Sequence, residues 1–100
     1  MGTVPHPEGF HFYRELGDPL GTVSLSLSDF AETVRMVDTR SVNFHVKRQD
    51  FERWIRGVIG DAELSTRLGK IRRGTPRENL RKAIIQIVNR RLNELKKMLP

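Results

Sequence analysis

The sequence has no cysteine, which excludes disulfides and thiolate metal sites. Aromatic residues are scarce, with one tryptophan and one tyrosine. Eight glycines and five prolines are scattered without a low-complexity run, and 37% of residues are hydrophobic, so collagen-like and disordered classes do not fit. No apolar stretch approaches the roughly 18 residues of a membrane span, and the N-terminus lacks a signal-peptide pattern; the expectation is a soluble, cytoplasmic protein. Catalytic and cofactor motifs are missing too: there is no H-E-x-x-H, P-loop, G-x-G-x-x-G or G-x-S-x-G. Histidines stand at 6, 11 and 45, none at ligand spacing with another His, Asp or Glu on a helix face. No metal, cofactor or catalytic residue is expected, and a helical chain of this size offers little concave space for an enzyme.

Base is scarce in the first part of the chain. Residues 1–45 carry three Arg against six acids, whereas residues 46–100 carry fifteen Lys or Arg against six acids. That asymmetry suggests an anionic partner, nucleic acid or an acidic protein surface; a solvated basic face is the plainer explanation. The densest run, "KIRRGTPRENLRK", holds the candidate anion- or nucleic-acid-binding residues Lys70, Arg72, Arg73, Arg77, Arg81 and Lys82 against Glu78 alone. It lacks the interleaved aromatics of single-strand binders.

One hundred residues make one domain. Residues 1–9, with two prolines and no period, read as a flexible lead-in to a helical domain over 10–100. Alternation in "FHFYREL" and "TVSLSL" around the turn signal "GDPLG" predicts a hairpin or two extended segments, with Val23, Leu25 and Leu27 on one face. From residue 28 the period becomes helical: Ser28 is the expected N-cap, and Phe30, Val34 and Val37 share a face. "DTRSVNFHV" fits helix or strand, with Asp38 or Thr39 as cap. Asp50 is then expected to cap a helix burying Phe51, Trp54, Ile55, Val58 and Ile59. Gly60 ends it and Asp61 caps the next, which carries Leu64, Leu68 and Ile71 as far as Gly74. In "TPRE", Thr75 as N-cap and Glu78 as its capping-box partner open a last helix from Pro76 to Met98, whose apolar stripe runs from Leu80 to Leu99. The fold class is mainly α: a compact bundle of four or five helices with an extended or hairpin N-terminal segment. The length of the last stripe suggests a protein partner or self-association as a dimer through residues 88–99.

His45, Asp50, Phe51, Trp54 and Ile55 are read as structural. A His45–Asp50 pair could grip a partner, but a hydrogen bond bracing two helices explains it more simply. The order "SLSDF", "SVNFHVKRQDFERWIRGVIGDAELS", "LRKAIIQIVNRRLNEL" resembles a domain family of unknown function found mostly in archaea and some bacteria, with an H-x-x-R-x-D-F-x-x-W-I core. Phe44 stands where that family usually has Tyr, and Ser65 where it has Ala. The resemblance implies a small helical domain, alone or attached to larger proteins, with an accessory or interaction role and no catalytic residue.

Overall fold

The computed structural model describes residues 2–71 and 74–99. The chain is mainly helical, with five helices and one two-stranded hairpin among the described residues. Its radius of gyration is 12.8 Å and its extents are 42 × 30 × 21 Å.

Strands β1 (Phe10–Glu15) and β2 (Asp18–Ser24) pair antiparallel. The turn is made by Leu16 and Gly17, whose φ of 77° needs glycine, so only the first residue of the expected GDPLG segment lies in it. Asp18 to Gly21 belong to β2 instead. Pro19 lies opposite Tyr13, where a sheet without a third strand tolerates its missing N–H, and the register shifts on both sides of Tyr13. Cross-strand partners share a face, so Phe10 brings Ser24 inward with it. The expected Val23–Leu25–Leu27 face is therefore not formed. Residues before β1, expected as a lead-in, have contacts of their own: the Val4 N–H donates to the Leu25 carbonyl at 2.7 Å, and His6–Glu8 form a 3-10 turn. Gly9 lies so close to β2 that a Cβ there would sit 2.6 Å from Val23 Cγ1 and 2.9 Å from the Ser24 carbonyl oxygen.

Helix α1 (Leu27–Met36) is capped by Ser26, not Ser28. Asp29 decides this: its N–H donates to Ser26 Oγ while its carboxylate accepts the Leu25 N–H, a reciprocal pair that Ser28 is too close to form. Asp38 caps α2 (Thr39–Lys47), accepting the Arg40 N–H, which settles that segment as helix. Helix α3 starts at Asp50 (Asp50–Trp54) and continues as a π turn over Ile55–Ile59, ended by Gly60 at φ 83°. The wider π winding breaks the 3.6-residue register assumed from the sequence, so Val58 turns outward and is 40% exposed. Trp54 is buried without it, on Phe10 and Phe30 at ring separations of 5.6 and 5.5 Å, and its indole N–H donates to the Glu8 carbonyl.

Asp61 caps α4 (Ala62–Gly69), which ends five residues short of the expected Gly74; Gly69 is a poor helix residue, and Ile71 folds back half-buried on the core. Helix α5 (Arg77–Lys97) is about 31 Å long at 1.5 Å per residue. Pro76 holds its N-cap position in place of the expected Thr75, and Glu78 pairs with Arg81. Its buried stripe is Leu80, Ile84, Val88 and Leu92; Leu95 is half-buried, and Met98 and Leu99 are exposed, so the expected stripe to Leu99 stops early. Helices α1, α2 and α4 pack on α5, and α2 also carries the hairpin. Near its C-terminal end Arg67 grips Glu94 through two bonds (2.8 and 2.9 Å), while Arg91 bridges Glu94 and Asp61.

Candidate binding groove at the basic end

Two features compete for the site: the His45–Asp50 pair and a groove beside it. His45 is buried in α2 among Phe10, Phe12, Phe44 and Phe51. Its Nε2 accepts the Tyr13 N–H of the hairpin at 2.9 Å, so the proton sits on Nδ1, which donates to Asp50 at 2.8 Å. Burial lowers the imidazole's pKa, against the opposing pull of Asp50, and holds it neutral. Asp50 also takes Arg48 and Arg53 at 3.2 Å each, and Arg53 reaches the Arg48 carbonyl. Asp50 is therefore not the cap expected from the sequence. Gln49 fills that position in the left-handed region, at φ 60°, with no side-chain cap. With both ring nitrogens committed, His45 joins the hairpin, α2 and α3 and leaves no free atom for chemistry.

The groove, about 530 Å³ in volume, lies where the end of α2, the start of α3, the end of α4 and the start of α5 meet. Phe51, Leu68, Leu80 and Ile84 underlie it, and Asn43, Lys47, Gln49 and Glu52 line it. Among the described residues, the side chains of those four have no hydrogen-bond or ion-pair partner on another residue. Burial pushes the Glu52 carboxyl above its ordinary range, with its own backbone amide and Arg53 working the other way. An unpaired carboxylate, two free amides and an ammonium facing one concavity form a set of convergent hydrogen-bonding groups of the kind ligand pockets use.

The candidate basic residues divide around this groove. Lys70 is exposed between Gly69 and Ile71, which both line it, and Arg77 is exposed at the first turn of α5 beyond Thr75, which also lines it. Arg72 and Arg73 lie outside the described residues. Arg81 turns away: it is mostly buried and donates to the Val34 and Arg35 carbonyls, closing the end of α1. Lys82 is exposed two positions from both Leu80 and Ile84, hence on the far face of α5. Phe51, Trp54 and Ile55, expected as structural, are buried in the core, Phe51 forming part of the groove floor. Sequence reasoning missed Asn43, Lys47, Gln49 and Glu52; they come from two helices and the left-handed residue between them, and no local pattern encodes the angle at which the helices meet.

No family model matches the chain, and neither a curated protein nor a solved structure matches it. Among the described residues no group of three or more His, Cys, Asp or Glu could hold a metal ion, and no helix is long and apolar enough to cross a membrane.

Proposed function

We propose that this protein is a non-catalytic interaction module, a small helical bundle that takes an anionic partner at the groove between the ends of α2, α4 and α5. One observation carries the reading: Lys47 lines the groove with the free side chains of Asn43, Gln49 and Glu52, Lys70 and Arg77 are exposed in the segments next to its lining residues, and none of these three cations is in an ion pair, whereas seven arginines elsewhere among the described residues are. Cations left without acidic neighbours at a concave site are available to a partner's charge. The reading includes membership of the family the sequence resembles. It is supported by the motif residues His45, Arg48, Asp50 and Phe51 meeting at the junction between α2 and α3, with Trp54 and Ile55 buried in the core.

Retention on a heparin column tests it. The Lys47→Glu/Lys70→Glu/Arg77→Glu variant is expected to elute at much lower salt than the Arg90→Glu/Lys96→Glu/Lys97→Glu variant, although both change net charge equally. Equal elution would reduce binding to overall charge.

A second reading, self-association through the end of α5, is favoured by the exposure of Met98 and Leu99 beyond the last buried residue, Leu92. A dimer mass by light scattering, lost in Leu99→Asp, is its expected signature.

A further inference from the structure

We propose that the groove holds one unpaired base of a single-stranded nucleic acid, read by Asn43, Gln49 and Glu52, while Lys47, Lys70 and Arg77 hold the flanking phosphates. This rests on the anionic-partner reading above and names the partner. The charges of the lining are one acid, Glu52, and one cation, Lys47, with the exposed Lys70 and Arg77 in the flanking segments, beside Gly69 and beyond Thr75. An acidic peptide would bring carboxylates towards Glu52. A nucleotide instead separates its anion from a neutral base that carries hydrogen-bond donors, which suits one carboxylate in the lining together with cations in and beside it. The two amides add donors and acceptors of the sort that pair with base edges. The volume, about 530 Å³, suits a single base with its sugar and not a duplex, whose pairing edges are already taken.

Gln49 supplies an independent observation. It is the only non-glycine residue at positive φ among the described residues, and it lines the groove without capping α3. Backbone held in an unfavourable region at a concave site is a common mark of a working position.

Glu52 sets the specificity. Its carboxylate accepts from the exocyclic amino group of adenine or cytosine, whereas thymine presents an N–H flanked by two carbonyl oxygens that the carboxylate repels. Fluorescence anisotropy with ten-nucleotide oligo(dA), oligo(dC) and oligo(dT) at ~50 mM salt is the test. Oligo(dA) and oligo(dC) are expected to bind roughly tenfold tighter than oligo(dT), the discrimination one good base contact supplies. Glu52→Gln should erase that preference, and Gln49→Ala should weaken it, with the thermal midpoint of each variant measured as a folding control. Lys47→Glu should weaken all three oligonucleotides alike. Equal affinity for the three would overturn base reading while leaving the anionic partner in place. Heparin retention by the groove cations without oligonucleotide binding, or polyglutamate competing as well as oligo(dA), would remove nucleic acid as the partner. Tighter binding to duplex than to single strand would also overturn the proposal.

Discussion

At the scale of single residues, His45 shows how one side chain closes a junction. It is a donor to Asp50 and an acceptor for Tyr13 at the same time, a combination available only to the neutral ring. A second proton would face the Tyr13 N–H and leave that amide without an acceptor, which adds to the burial that lowers the pKa. Because the folded pKa lies below the ordinary value of 6.5, the unfolded chain takes up this proton first. The His45 contribution is therefore complete above pH 6.5 and is lost as pH falls from there towards the folded pKa. His45→Gln is expected to lose about 1–3 kcal/mol at pH 7.5, through two weakened hydrogen bonds in a buried site. It should also flatten the fall of melting temperature between pH 7 and 5 relative to the wild type. Calorimetry across that range measures both effects. A wild-type slope unchanged by the substitution would place the titrating group elsewhere.

Elements depend on how these local contacts agree. The left-handed Gln49 turns the chain from α2 into α3, and Gln49→Gly should raise stability by up to about 1 kcal/mol in chemical denaturation, since glycine adopts that backbone freely. A loss of stability would show that the side chain packs more than it strains. The end of α5 is held to α4 by Glu94, whose hydrogen bonds from Arg67, and then from Arg91, depress its pKa from 4.5 to about 2. That contribution is present above pH 4.5 and disappears as pH drops towards 2. Glu94→Gln should consequently melt lower than the wild type at pH 7, with the difference narrowing by pH 3. Much of this was legible beforehand. The α5 stripe reads clearly because one face of a long helix packs on three neighbours, and Gly60–Asp61 marks a stop and a start by opposite chemistry, left-handed backbone and side-chain cap. The π turn after Trp54 was not legible, because its register differs from 3.6 without any change in composition. Ser26 and Ser28 are equally good caps until Asp29 chooses between them. The groove left no local signal at all: Asn43 and Glu52 come together only through the bend at Gln49.

For the whole molecule, the imbalance of charge along the sequence becomes a difference in place. Arg81 is spent on closing α1, Arg67 and Arg91 on joining α4 to α5, while Lys47, Lys70 and Arg77 stand unpaired beside the groove. The core, the His45 junction and the ion-pair network fix the helices, and the groove where four helix ends meet is lined by Asn43, Lys47, Gln49 and Glu52, whose side chains have no partner on another residue. The most direct measurement of this claim is a map of backbone amide shifts by NMR as a short heparin oligosaccharide is added at low salt. The account predicts shifts concentrated at residues 43–52, 68–71 and 74–80, with the far end of α5 over 90–97 largely unmoved despite its own exposed cations. Shifts centred on 90–97, or spread evenly over every exposed Lys and Arg, would contradict it.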